Sequence, residues 1–400
     1  KENSTASTVR DRDDVEAEKQ VRLVNWISGV MEEYLKRTVA RRRDQTESSH
    51  HLDALYEPGH NAIPLDEFAD KVLLTKLNIE DAMHQQAGIE TTQLSSEVSS
   101  QLREYVAEIA SKYHKNPFHN FEHACHVTMS VIKLLKRVVT PDLDVDNCAP
   151  HELLAQLHDY TYGITSDPLA TLAIIFSALI HDVDHRGVSN AQLGKEEPEI
   201  AECYRGKSLA EQNSLDIAWE MLMRHKYTDL RACMFADDED IKHFRQVVVN
   251  VVLATDIFDK ELNALRRSRW SKAFASENGF NDDIDLKATI VIEHIIQASD
   301  VAHTMQHWHI YRKWNQRLFR EMSKAYKAGR MGVDPATFWY EGELGFFDNY
   351  IIPLAKKLAE CGVFGVSSDE YLNYAKLNRD EWEAKGVEIV EQLSKARDAQ

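Results

Sequence analysis

The sequence predicts an all-α protein whose main part is one compact domain of many helices. Apolar residues recur three and four positions apart through most of the chain after about residue 62, and almost no stretch alternates as a strand would. Only 15 glycines and nine prolines interrupt the 400 residues, and they cluster between helical segments. Gly163, Gly187, Gly279 and residues 329–332 are therefore expected in interhelical turns. We expect the domain to span residues 63–400.

The N-terminal part, residues 1–62, differs in composition from the rest. Residues 1 to about 20 are polar and are expected to be disordered. Residues 44–62 are mostly polar and include Pro58 and Gly59, which is typical of a linker.

Between them, residues 21–39 predict an amphipathic helix. Its apolar positions alternate three and four apart: Val24, Ile27, Met31 and Tyr34. Two interpretations are open. The helix lies on the surface of the domain, or its apolar seam joins two copies of the chain in a homodimer and connects to an upstream module.

Charge and cysteine content limit the class of protein. The net charge is −18, which argues against a nucleic-acid polymer as partner, although metal ions could supply positive charge for a small anionic substrate. Five scattered cysteines indicate reduced thiols and a cytoplasmic location. The apolar stretch 169–180 is too short to span a bilayer, so any membrane anchor is expected outside this sequence. Because the chain begins with Lys1, we expect upstream domains.

The first histidine cluster lies at residues 119–126. On a helix, His119 and His123 are four apart and share a face. Such a pair occurs by chance on many surfaces, so alone it is a weak signal.

A second cluster follows a buried helix. Residues 172–180 are almost wholly apolar and end in His181-Asp182-Val183-Asp184-His185. Two imidazoles and two carboxylates at the end of a buried helix are costly unless they are paired or bind metal, and this donor set suits Zn²⁺ or a similar ion. The alternative is a solvated turn after a core helix.

A third apolar helix, residues 290–300, ends in Asp300. Alone this residue would be interpreted as a helix cap or ion-pair partner. Together, one His, a His-Asp pair and a distant Asp indicate a metal-dependent phosphohydrolase of the HD type.

At this point the sequence resembles the class I cyclic-nucleotide phosphodiesterases. The family pattern H-N-x-x-H-A matches residues 119–124, and H-D-x-D-H-x-G-x-x-N matches residues 181–190. Phe346 and Pro353 have the spacing of a third family signature. The resemblance covers about residues 60–400 and implies an all-α catalytic domain that hydrolyses 3′,5′-cyclic nucleotides.

The resemblance also implies roles for individual residues. The expected ligands of a tight site, taken to be Zn²⁺, are His123, His181, Asp182 and Asp300. Asp182 would also reach a second ion, Mg²⁺ or Mn²⁺, whose water molecules are held by His185 and Glu211. His119 resembles the general acid that protonates the leaving 3′ oxygen.

Phe346 resembles one face of a clamp on the purine ring, and Glu343 stands where the family has the glutamine that contacts the base. An ionised Glu only accepts hydrogen bonds, which matches the N1–H and N2–H₂ donors of guanine, so we expect a preference for cyclic GMP. The alternative is that Glu343 pairs with a neighbouring cation and does not contact the base.

Five positions depart from the family pattern: Phe118, His126, Asn213, His303 and Glu343. None is an expected metal ligand, so the metal centre is expected to form. Two other functions stay open. The chain could be a pseudoenzyme that senses cyclic nucleotides or acts as a scaffold, or an HD-type hydrolase of another phosphate ester. The complete ligand set favours an active enzyme, and the Phe346–Pro353 spacing favours a purine substrate.

Overall fold

The structure, a computed structural model, describes residues 2–41, 62–138, 149–274, 283–365 and 367–398. These residues form seventeen α-helices with short 3₁₀ turns and no strand, which confirms the predicted all-α fold. Helices α1 to α9 span Glu2–Arg41, Ile79–Gly88, Ser96–Lys112, Phe121–Leu135, Pro150–Tyr160, Pro168–Ile180, Asn190–Glu196, Pro198–Cys203 and Leu209–Leu222. Helices α10 to α17 span Thr228–Met234, Asp238–Leu253, Lys260–Phe274, Ile284–Asp300, Trp308–Lys327, Trp339–Phe346, Ile352–Glu360 and Ser367–Asp398.

The centre of the core is α6. Every residue of this helix except Thr171 is buried, as expected for a helix that is apolar on all sides. Pro168 occupies the first turn, and the Asp167 carboxylate caps the helix by accepting from the Ala170 N–H at 2.8 Å. Helices α1, α4 and α11 pack around α6. The C-terminal end of α6 is thereby fixed inside the domain.

The N-terminal helix differs from its prediction in length and in partner. Helix α1 begins at Glu2, within the stretch that was expected to be disordered. It packs against α3, α4 and α6, and its four seam residues belong to the main core, with exposed fractions of 7%, 0%, 3% and 3% for Val24, Ile27, Met31 and Tyr34. Because these side chains are buried within their own chain, they cannot form the seam of a homodimer, and that interpretation is corrected.

Three of the predicted turns are present. Gly163, Gly187 and Gly329 all have positive φ in connections between helices. Gly279 and the predicted linker up to residue 61 lie outside the described residues. Among the helices that the structure describes, none has the length and apolar composition that a membrane span requires.

The C-terminal part forms one side of the site described below. Helices α15 and α16 are joined without a break by a π-helical segment, Phe347–Ile351. Helix α17 packs against this continuous helix and against α14.

Candidate active site

The start of α4 supplies the first donor. The Asn120 side chain caps the helix by accepting from the N–H of His123 at 3.0 Å. Phe121 and Ala124 are buried on either side, so the capped turn holds His123 fully buried. The first histidine cluster therefore contains the start of α4, and its cap residue Asn120 orients His123.

The end of α6 supplies two more donors. Nδ1 of His181 donates to the carbonyl of Ala178 at 3.0 Å. A carbonyl can only accept, so Nδ1 carries a proton, and in the neutral imidazole Nε2 is then the nitrogen with the lone pair. Nε2 lies 3.2 Å from Oδ2 of Asp182. Both atoms are buried and neither makes a hydrogen bond.

The end of α13 completes the group. Oδ1 of Asp300 lies 3.0 Å from Nε2 of His123 and 3.5 Å from Nε2 of His181. Oδ2 of Asp182 lies 3.7 Å from Nε2 of His123. Three helix ends, far apart in sequence, thus bring two imidazoles and two carboxylates to one point. Carboxylate charge raises the pKa of His181 although burial opposes it, and the histidines hold the pKa of Asp300 well below its usual range against the effect of burial.

These four residues fit a bound cation. The ligand atoms of His123, His181 and Asp300 all lie within 4.8 Å of one another. The buried Nε2 of His181 and Oδ2 of Asp182 lack hydrogen bonds, a costly arrangement for polar atoms that a metal ion would satisfy. Imidazole nitrogen and carboxylate oxygen are the donors that Zn²⁺ and similar ions prefer.

His119 lies next to this group and is paired with Glu321 of α14. Its Nδ1 makes a short contact with Oε1 of Glu321. The other oxygen, Oε2, accepts from the backbone N–H groups of Phe118 at 2.8 Å and His119 at 3.0 Å. Burial alone would lower the pKa of His119, but the carboxylates of Glu321 and Asp182 raise it to about 9. The imidazole is therefore held as a cation at neutral pH.

The His185 ring packs against the His119 ring at an interplanar angle of 32°, with ring centroids 3.9 Å apart. Burial and then the charge on His119 lower the pKa of His185 to about 4, so this ring is neutral. Asn116 holds the two segments together by donating to the carbonyls of His185 at 2.7 Å and His119 at 3.1 Å. Gly187 has φ +69° here, and a Cβ on it would lie 3.3 Å from the Asn116 amide oxygen, which explains the glycine of the second motif.

Glu211 lies beyond the four-donor group. Asn190, the last residue of the second motif, donates to Glu211 at 2.9 Å. Burial and then the charge of Asp256 raise the pKa of Glu211 to about 8. Asp256 itself accepts from Ser208 at 2.8 Å. Among the described residues, two groups of donor atoms lie close enough together to share an ion, and Glu211 belongs to neither group.

Glu343 and Phe346 lie on α15. The Tyr311 hydroxyl donates to Oε2 of Glu343 at 2.6 Å, so the partner of this carboxylate is a phenol rather than the cation considered as an alternative. Burial raises the pKa of Glu343 to about 7. The Phe346 ring is partly buried and stacks on Tyr350 with centroids 5.4 Å apart. Burial, with a smaller contribution from the charge of Asp300, raises the pKa of Tyr350.

The departures from the family pattern also cluster near the site. The Phe118 ring packs against the rings of His123 and His303 with centroid distances of 4.7 and 5.5 Å. His126 and His303 both pack against Trp314. Burial lowers the pKa of both histidines, to about 4 for His126, so they are neutral. Asn213 donates to Asp184 at 3.1 Å and does not reach the four-donor group.

Sequence reasoning missed Glu321, Tyr311 and Trp314. All three lie on α14, whose sequence has the pattern of an ordinary amphipathic helix. No local motif distinguishes the Glu321 carboxylate, which is 4% exposed, from a surface glutamate.

The chain resembles known phosphodiesterases in sequence. Residues 118–363 match the family described as 3′5′-cyclic nucleotide phosphodiesterase. A Caenorhabditis elegans protein named "Probable 3′,5′-cyclic-AMP phosphodiesterase pde-4" is 26% identical over 78% of this chain and 43% of its own length. A mouse dual specificity calcium/calmodulin-dependent 3′,5′-cyclic nucleotide phosphodiesterase 1C is 23% identical over 62% of this chain and 31% of its own. The chain thus spans less than half the length of these relatives.

The fold is similar to a solved structure as well. The phosphodiesterase domain of Salpingoeca rosetta rhodopsin phosphodiesterase superposes with a TM-score of 0.59 at 20% identity, covering 89% of this chain and 97% of that one. This similarity concerns the architecture of the helices.

Proposed function

Because the chain belongs to the 3′,5′-cyclic nucleotide phosphodiesterase family, we propose that it hydrolyses 3′,5′-cyclic nucleotides to 5′-nucleoside monophosphates with bound divalent metal ions. The observation that carries the proposal is the convergence of His123, His181, Asp182 and Asp300 beside a histidine that is held protonated. A phosphodiester needs its negative charge neutralised and its leaving oxygen protonated, and these two groups are suited to the two tasks.

The family is metal-dependent, and the identity of the ions is part of our proposal. His123, His181, Asp182 and Asp300 would hold a tight Zn²⁺. Asp182 would also reach a second ion, Mg²⁺ or Mn²⁺, which is bound mainly through water molecules. When bound, such ions withdraw charge from the phosphate and make water a nucleophile at neutral pH.

His185 and Glu211 would act on the water molecules of the second ion. Both are half-buried, and the charge of Asp182 acts on both. Neither carries a full charge at neutral pH, because His185 has a lowered pKa and Glu211 a raised one. A neutral imidazole and a protonated carboxyl group can each donate a hydrogen bond to water and accept one from it. They would therefore orient water without adding net charge.

His119 would protonate the leaving group. Nδ1 is engaged by Glu321, so Nε2 is the nitrogen that transfers its proton to the 3′ oxygen as the P–O3′ bond breaks. Glu321 has two functions in this step. It keeps the imidazole protonated before the reaction, and it fixes the orientation of the ring through the two backbone N–H groups that it accepts from.

Phe346 would stack on the purine ring, and Glu343 would form hydrogen bonds with the Watson–Crick edge of the base. Tyr311 donates to Oε2 of Glu343, and Asn315 also hydrogen-bonds to this carboxylate. Glu343 would accept from the base through the oxygen that the Tyr311 proton does not occupy. An ionised Glu343 favours guanine, which offers N1–H and N2–H₂, over adenine, whose N1 lone pair would oppose it. We therefore propose a preference for cyclic GMP that strengthens as Glu343 ionises.

The wider organisation of the protein stays a prediction. This applies to the division of the chain at residue 62, to domains upstream of Lys1 and to a cytoplasmic location.

Turnover of both cyclic nucleotides, with metal analysis, tests the function. We expect hydrolysis that a chelator abolishes and that added divalent ions restore. Asp300→Ala and His181→Ala should each abolish turnover and lower bound zinc, because each removes one of four ligands. Normal zinc content in both variants would contradict the ligand assignment, and nucleotide binding without turnover in the metal-loaded parent would indicate the pseudoenzyme instead.

A further inference from the structure

A second group of metal donors lies beside the first. His119, His185 and Glu321 each offer one ligand atom, and these three atoms lie within 4.8 Å of one another. None of the three belongs to the four-donor group of His123, His181, Asp182 and Asp300. The second group is built by residues from two separate loops and by α14.

The geometry of this group is held from outside. Asn116 fixes the backbone on both sides by bonding to the carbonyls of His119 and His185. Glu321 is anchored through Oε2 by two backbone N–H groups, which leaves Oε1 directed at the His119 ring. The three donors are thus positioned by their surroundings, as ligands of a metal site usually are.

The donor set selects a class of ion. Two imidazoles and one carboxylate suit Zn²⁺ and neighbouring transition metals, whereas Mg²⁺ prefers oxygen donors and water. In a tetrahedral Zn²⁺ site with bonds of about 2.0–2.2 Å, donor atoms are about 3.3–3.6 Å apart. The observed separations, at most 4.8 Å, reach this range with side-chain shifts of about an ångström.

We propose that His119, His185 and Glu321 form a second, weaker Zn²⁺ site whose occupation inhibits the enzyme. The ion takes the place of the proton between His119 and Glu321, and that proton leaves to solvent. Nδ1 of His185 accepts from the Gly187 N–H at 3.2 Å, so the ring proton of His185 is on Nε2. This proton moves to Nδ1, breaking the Gly187 bond, when Nε2 binds the ion. With the proton between His119 and Glu321 gone, His119 is a neutral imidazole whose remaining Nε2–H is a far weaker acid than the imidazolium. Zinc therefore activates through the four-donor group and inhibits through this one. The inhibitory effect rests on the proposed hydrolysis, whereas the binding site does not.

Zinc stoichiometry measures the site directly. The parent chain is held in excess Mg²⁺, so that Mg²⁺ occupies the second-ion place at Asp182, and is dialysed against increasing free Zn²⁺. Elemental analysis should then show one tight zinc ion and one weaker zinc ion. Glu321→Gln should keep the tight ion and weaken the other by more than about tenfold, because a neutral amide replaces a charged ligand. Asp300→Ala should weaken the tight ion and keep the weaker one. His114→Gln is the matched control, since His114 pairs with Asp184 at 2.7 Å in an exposed position nearby and should leave both ions unchanged.

Two further measurements separate the possible outcomes. His185→Asn should also weaken the second ion, and it provides an independent test if Glu321→Gln does not fold. Excess Zn²⁺, but not excess Mg²⁺, should inhibit turnover of the parent over the same concentration range that fills the weaker site. A weaker site that neither substitution affects would overturn the proposal. A weaker site that both substitutions remove, in a chain without turnover, would support the site and count against the proposed function.

Discussion

Glu343 is a single residue on which base selection can be tested. In Glu343→Gln, the Tyr311 hydroxyl, which donates to Oε2 at 2.6 Å, should bond to the amide oxygen instead. The amide NH₂ then faces the base and donates to it, which suits the N1 acceptor of adenine. In the proposed function, the parent carboxylate would instead accept from guanine. The substitution should therefore move selectivity from cyclic GMP toward cyclic AMP.

The size of this effect follows from the contact that is exchanged. A hydrogen bond to a charged group contributes about 1.5–3 kcal/mol, which corresponds to about a ten- to hundredfold change in the ratio of kcat/KM values for the two nucleotides. Burial raises the pKa of Glu343 to about 7, so the charge is complete only above that pH. About a tenth of the molecules are ionised at pH 6 and about nine-tenths at pH 8. Preference for cyclic GMP in the parent should therefore rise with pH between these values.

The assay is the ratio of kcat/KM for cyclic GMP over cyclic AMP at several pH values. Glu341→Gln is the matched control, because Glu341 is an exposed carboxylate on the same helix. It should keep both the ratio and its pH dependence, whereas Glu343→Gln should lose both. A ratio that stays near one at all pH values, or that favours cyclic AMP in the parent at pH 8, would refute the role of Glu343.

Two other predictions address the acid and the N-terminal helix. His119→Ala should lower kcat by about 10²- to 10⁴-fold while elemental analysis shows that the tight metal stays bound, and an unchanged kcat would remove His119 from the mechanism. Ile27→Ala should lower the free energy of unfolding by about 2–5 kcal/mol in chemical denaturation, because Ile27 is fully buried, whereas Val21→Ala, at a position 60% exposed, should stay within about 0.5 kcal/mol. Sedimentation of Ile27→Ala as a smaller species than the parent would instead support the dimer seam.

The convergence of the candidate metal donors could be predicted because their signal is local. An apolar segment such as α6 must be buried on all sides, so the polar residues directly after it, including His181 and Asp182, must also lie in the interior. The same reasoning applies to Asp300, the last residue of α13. This helix is buried continuously from Ala288 to Ser299. A helix end is a short-range feature, and the sequence contains all the information needed to recognise it.

The partners of these residues could not be predicted because they are set by contacts between distant segments. Glu321 is about 200 positions from His119 in sequence, and its function depends on the backbone N–H groups of a loop that only the folded chain brings near it. Helix α1 shows the same limit. The spacing of its apolar residues predicts the helix and its buried face, but an identical pattern results whether that face covers its own domain or a second copy.

The π-helical segment between α15 and α16 affects how the continuous helix that they form tolerates changes in length. Phe347, Ile351 and Ala355, which are four positions apart, are fully buried here, and Leu354 and Leu358 are buried with them. Residues four apart in a regular α-helix diverge by about 40° around the axis, so this column would turn away from the core within two steps. The wider π turn takes up part of that rotation and keeps the column aligned. A one-residue deletion within 347–351 would convert the segment to regular α-helix while both flanking segments keep their faces, whereas the same deletion within α16 would rotate all later residues by about 100°. The π segment is thus where this helix can lose a residue without reorienting its neighbours.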